Sequence, residues 1–91
     1  MEYTQTSKQL LDELLSPIPF MVRPMAKKMI EKQIFAEAEK AGHTVADDED
    51  VIRGYIIAGA KKEADRDRMK KFLTDKGYDL GKYEDLFTVE A

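Results

Sequence analysis

Pro17 and Pro19, two prolines within three positions, limit what this chain can fold into more than any other residues. Proline lacks a backbone N–H and disfavours helix at the residue before it. The helical pattern of Leu10, Leu11, Leu14 and Leu15 must therefore stop at Ser16. Ile18-Pro19-Phe20-Met21-Val22 is then expected to run extended. It is too apolar for a solvated loop, so it is expected to lie across the core as a buried connector. Beyond these two prolines, only Pro24 and five glycines punctuate the 91 residues. That argues against a turn-rich β protein.

Four helical segments follow from punctuation and period. Ser7 is the expected N-cap of the first, whose apolar stripe is Leu10, Leu11, Leu14 and Leu15. Pro24 suits the first turn of the second, where a missing N–H costs nothing. Its expected core stripe is Ala26, Ile30, Ile34, Ala38 and Ala41, with Val22, Met29 and Phe35 beside it. Gly42 is the expected C′ glycine. Asp47 is the expected N-cap of the third helix, with Asp50 reaching back as in a capping box. Val51, Ile52, Tyr55, Ile56 and Gly59 form its apolar face. Gly54 and Gly59 each cost about 1 kcal/mol of helix propensity against alanine, which points to close packing of a neighbour. From Lys61 to Lys76 the chain either continues that helix or forms a fourth after a bend near Ala64-Asp65. Met69, Phe72 and Leu73 are its expected buried residues and Gly77 its stop. Leu80, Tyr83, Leu86 and Phe87 are spaced as a short amphipathic turn or helix.

The expected fold is all-α, a small bundle of three to four short helices with an extended Pro-containing connector. Residues 1–60 form a helical domain and residues 61–91 a helical extension on the same core. One modest core is within reach of a chain this long.

The net charge is −3, and residues 47–91 carry all of it. That balance speaks against a nucleic-acid face, which is usually basic. Lys61, Lys62, Arg66, Arg68, Lys70 and Lys71 alternate with Glu63, Asp65 and Asp67, the pattern of a solvated helix face. There are no cysteines, so a disulfide scaffold and thiolate ligation of zinc or an iron–sulfur cluster are excluded. No apolar run approaches the roughly 18–20 residues of a membrane span, and Met1–Leu11 lacks the order of a signal peptide. A cytoplasmic protein is expected.

No metal site is expected. His43 is the single histidine and reads as a partly exposed turn residue beside Gly42. Asp47-Asp48-Glu49-Asp50 lacks the central glycine and terminal glutamate of a calcium loop, so helix capping explains it. No phosphate-binding glycine motif or nucleophile arrangement occurs. Met21, Met25 and Met29 read as core packing, with a soft apolar groove for a helix or a flat tetrapyrrole as the alternative. Arg23 reads as a stem covering the core or a partner of Glu31. The alternative is contact with an anionic group of a ligand or partner.

Leu14-Leu15, Ile18-Pro19-Phe20, Val22-Arg23, Ala26, Glu31, an alanine at Ala36 or Ala38, Gly42, Val45 and the capped helix with Val51 form one pattern. Over about residues 11–60 it resembles the small C-terminal domain of the light-independent protochlorophyllide reductase B subunit. The resemblance implies a partner: in that family the B subunit joins an N subunit in a nitrogenase-like complex. That complex uses iron–sulfur clusters and ATP hydrolysis to reduce ring D of protochlorophyllide. This chain has no cysteine for a cluster, lacks the large catalytic portion, and adds the residues after Ala60. The expectation is therefore an accessory or docking domain that binds a partner subunit or a tetrapyrrole, is not catalytic alone and binds no cofactor itself. Phe20, Met21 and Arg23 are its expected contact residues, and Pro19, Glu31, Gly42 and Asp47 its structural ones. The alternatives are a direct subunit of a tetrapyrrole oxidoreductase and a small regulatory or nucleic-acid-binding module. The acidic start of the third helix is wrong for a recognition helix facing DNA.

Overall fold

A computed structural model describes residues 2–59 and 63–87. Its elements in order are β1 (Glu2–Tyr3), α1 (Gln5–Leu15), α2 (Arg23–Lys40), β2 (Val45–Ala46), α3 (Asp48–Gly59), α4 (Glu63–Asp75), a 3₁₀ turn (Leu80–Tyr83) and α5 (Glu84–Phe87). The fold is a small, mostly helical globule, as the sequence indicates. α4 runs helical through the expected bend at Ala64-Asp65, and residues 60–62 between it and α3 lie outside the described residues. Lys61 and Lys62 of the expected basic stretch lie outside the described residues, as do the side chains of Glu63, Asp65 and Phe87.

The helix ends follow local chemistry. α1 is capped by Thr4 and not by Ser7: the Thr4 hydroxyl accepts the Ser7 N–H at 3.1 Å. Ser7 is instead fully buried inside the first turn, its hydroxyl donating to the Ala46 carbonyl at 2.8 Å. That bond ties α1 to a two-residue parallel ladder, Glu2 with Val45 and Tyr3 with Ala46. So short a strand pair leaves no period in the sequence to read. α2 ends in a Schellman motif, with His43 N–H donating to the Ala38 carbonyl, Gly42 N–H to that of Glu39, and Gly42 at φ +76°. α4 ends the same way through Tyr78, Gly77 and the carbonyls of Leu73 and Thr74. α3 opens with a reciprocal capping box: Asp50 N–H donates to Asp47 Oδ1 at 2.9 Å, and Asp47 N–H to Asp50 Oδ2 at 3.2 Å.

The core joins all the main elements. Leu10, Leu11, Leu14 and Leu15 of α1 meet Ile30, Ile34 and Ala38 of α2, and Val51, Ile52 and Ile56 of α3. Met69 and Leu73 of α4 and Tyr83 of the 3₁₀ turn complete it. Each fully buried Leu or Ile contributes roughly 2 kcal/mol of apolar transfer free energy, so the α1–α2–α3 centre carries most of the fold. α2 and α3 cross at Gly54. There a side-chain carbon would fall 2.5 Å from the Ile34 backbone nitrogen, so only glycine admits the approach.

The connector departs from expectation. It does not lie buried across the core: Phe20 is 76% exposed, Met21 81% and Val22 49%. The chain between α1 and α2 is turned back on itself. Ile18 N–H donates to the Leu15 carbonyl, and the N–H groups of Val22 and Arg23 both donate to the Pro19 carbonyl, at 3.1 and 3.0 Å. Turns satisfy these backbone groups locally, and they bring only Ile18 against the core. Met25 and Met29, read as core packing, are likewise exposed, and Ala41 lies at the surface.

Candidate functional site

The N-terminal half of α2 carries apolar side chains on two opposite sides. Ile30 and Ile34 face the core. Met25 and Met29 are one turn apart on the same line of the α2 surface, and Met21 lies in the turn just before the helix. Met25 is 69% exposed and Met29 half exposed. With Phe20 and Val22 they form a continuous uncovered apolar face. A soluble helix normally confines such residues to one stripe. Lys28 and Lys32 follow Met25 and Met29 by three positions, so both exposed lysines stand alongside the methionines.

A groove of about 420 Å³ adjoins this face where the connector, α2, α3 and α4 meet. Pro17, Pro19, Met29, Tyr55, Met69 and Phe72 are among its walls, and Arg68 also lines it. Met29 belongs to both the face and the groove. Burial raises the Tyr55 phenol above its ordinary value, so that wall stays uncharged near neutral pH.

The expected site residues separate into two groups. Phe20 and Met21 reach solvent. Arg23 does not join them and does not pair with Glu31. Its guanidinium turns back onto the connector, Nη2 donating to the Ile18 carbonyl at 2.7 Å and the Ser16 carbonyl at 3.3 Å. The arginine thereby satisfies carbonyls left open beyond α1 and holds the turn that presents Phe20 and Met21. Glu31 accepts the Tyr3 hydroxyl at 2.7 Å, and the Tyr3 ring packs on Phe35 with centroids 5.6 Å apart. Burial, then the Glu31 carboxylate, push the Tyr3 phenol far above its ordinary value. Pro19 supplies the doubly accepting carbonyl of the connector, while Gly42 and Asp47 serve as helix punctuation.

Two polar clusters were not legible in the sequence. Glu37 of α2 is buried. It accepts Arg53 Nε at 2.9 Å and Lys40 Nζ at 3.1 Å. His43 Nδ1 lies 2.7 Å from Asp50 Oδ2 and 3.8 Å from Asp47 Oδ2. These three residues could offer ligand atoms within 4.8 Å of one another to a cation. Their geometry is already that of a helix junction: both carboxylates cap backbone N–H groups, and the imidazole closes onto Asp50 at hydrogen-bond length. The Schellman turn that carries His43 and the capping box that carries Asp50 bring them together, and neither motif alone implies the pair.

The Asp50 hydrogen bond, opposed by desolvation and helped by the charges of Asp50, Asp47 and Glu49, raises the His43 pKa above its ordinary value of 6.5. The charged pair therefore stabilises the fold fully below that value and ceases to do so as pH rises through the raised one. Against a His43→Gln variant, the wild-type advantage in melting temperature should be largest near pH 6 and shrink by pH 9. A difference constant across that interval would remove the ion pair from the account.

Three comparisons place the chain among known proteins. A family model described as a protein of unknown function (DUF2621) matches residues 1–87. The membrane protein YneK of Bacillus subtilis (strain 168) is 37% identical over 84 residues, which is 92% of this chain and 58% of that protein. The chain thus spans a little over half the length of the curated relative it matches. No solved structure matches. Among the described residues no helix is long and apolar enough to cross a membrane.

Proposed function

This chain belongs to the DUF2621 family, and we propose that it acts as a non-catalytic docking domain whose contact surface is the Phe20–Met29 face. The observation that carries this reading is the doubly apolar N-terminal half of α2. One side builds the core, and the other leaves Phe20, Met21, Val22, Met25 and Met29 uncovered. Exposed apolar patches of this kind mark interaction sites on small globular proteins. Methionine suits such a surface, because its flexible, polarisable side chain adapts to what it meets. Arg23 is then a positioning residue that sets the connector turn. The reading includes no resident cofactor and a cytoplasmic setting.

Two considerations name occupants for the face. The resemblance of Ile18–Arg23 to the protochlorophyllide reductase domain implies a subunit of a nitrogenase-like complex, with a tetrapyrrole in the adjoining apolar groove. The relative's printed name, a membrane protein, implies a membrane setting.

The test is site-specific photo-crosslinking in cells of the source organism. A crosslinker at Met25 is expected to give discrete adducts, while one at Gln9, exposed on α1, gives none. The adduct mass separates protein, lipid and tetrapyrrole. Equal and diffuse labelling at both positions would overturn the docking reading.

A further inference from the structure

Resting on that reading, we infer that the Phe20–Met29 face docks on an anionic lipid bilayer. The first observation is charge. Residues 16–32 hold four basic groups, Arg23, Lys27, Lys28 and Lys32, against one acid, Glu31, a balance of +3. The whole chain carries −3, so the remainder carries −6. The segment that carries the apolar face is thus positive, and the rest of the chain is negative.

The second observation is placement. Lys28 and Lys32 flank the methionine line, and the sole acid of the segment is held by the Tyr3 hydroxyl at 2.7 Å. Met25 and Met29 lie about 6 Å apart along α2 at 1.5 Å per residue, and Phe20 and Met21 carry the apolar surface past its N-terminus. That length suits a shallow contact in the headgroup region, with apolar tips in the acyl boundary and ammonium groups at the phosphates. Neither half suffices alone, since stable attachment at an interface takes an apolar signal and a basic one together. The acidic remainder is repelled by the same surface and orients the domain with α2 towards it.

A protein occupant fits less well. Protein interfaces are depleted in lysine, and here two lysines stand along the apolar line itself. A bilayer accepts them at no geometric cost, because lipid phosphates are mobile and present everywhere on the surface.

The experiment uses the 91-residue chain and vesicle flotation. The chain is expected to float with phosphatidylcholine vesicles containing phosphatidylglycerol, to stay behind with pure phosphatidylcholine, and to release as salt rises. Each lysine near an anionic surface is worth about fivefold in partitioning, so losing two lowers it by about thirtyfold, and the charge reversal in K28E/K32E should lower it further still. M25S/M29S, with the lysines intact, should lower it by about tenfold. All four side chains are exposed, and an unchanged melting transition confirms that each variant remains folded. Failure of the wild type to float with anionic vesicles at low salt overturns the inference, as does K28E/K32E floating like wild type. If flotation fails while Met25 still crosslinks a discrete protein, the docking reading stands with a protein occupant. If both fail, the face does not dock.

Discussion

Replacing Gly54 with alanine should lower the melting temperature by roughly 10–20 °C, although alanine is the better helix former. In an isolated helix the substitution gains about 1 kcal/mol. Here the new Cβ falls 2.5 Å from the backbone nitrogen of Ile34 and 2.6 Å from its Cα, and closer still to its Cγ1. A side-chain carbon could rotate away, but the backbone of an 18-residue helix cannot. The α2–α3 crossing must open, which strains or uncovers Ile30, Ile34, Val51 and Ile56 together. Overpacking of this kind costs about 1–3 kcal/mol and more when backbones collide. The backbone origin gives the prediction a second arm. Trimming Ile34 to alanine removes the Cγ1 contact but neither backbone contact, so the double variant should not recover. A Gly54→Ala protein that melts at or above the wild-type temperature would show that the helices do not cross there.

Arg53→Ala should cost about 2–3 kcal/mol at neutral pH and much less in acid. Glu37 is buried on the core side of α2. Burial pushes its carboxyl up, and the hydrogen bonds from Arg53 and Lys40 outweigh that and hold it below its ordinary value. A carboxyl depressed in this way contributes stability above its unfolded pKa and loses it as pH falls through the folded one. Without Arg53 the buried carboxylate keeps only Lys40, which is 77% exposed and well screened. Desolvation is then opposed by Lys40 alone, and the charged carboxyl is held less firmly. As pH falls through the folded pKa the wild-type carboxyl is protonated too, and most of the difference disappears. Urea unfolding at pH 7 and pH 3 measures this directly. An equal loss at both would mean that Arg53 acts through packing and not through Glu37. Lys40→Ala should matter far less at either pH, because an exposed ammonium gains little from the pair.

Much of the fold is written in short-range chemistry. Gly42, Gly77 and the Asp47–Asp50 box end or start helices as local rules require, since each motif closes within six residues. The stripes of α1, α3 and α4 face the core as their period indicates. Ser7 shows where such reading slips. Thr4 and Ser7 both suit a cap, and the ladder to Ala46 engages the serine and leaves the threonine to cap. The Glu37–Arg53 pair was invisible because its members sit on different helices. Nothing in either pattern sets their separation.

The candidate site divides in the same way. Phe20 and Met21 are conspicuous in the sequence, but their exposure is not. Ile30, Ile34 and Ala38 of α2 face inward as their period indicates, but hydrophobicity alone does not tell whether Met25 and Met29 join them. The sequence by itself determined where α1, α2 and α4 stop and that Pro17 and Pro19 part α1 from α2. The period also put Ile30, Ile34 and Ala38 inside, and only the tertiary structure decided that Met25 and Met29 stay outside. Gly54 lets α3 close against Ile34, and Arg23 clamps the connector over the Ile18 carbonyl. Those two contacts rotate the isoleucines inward and leave the methionine line, with its lysines, at the surface.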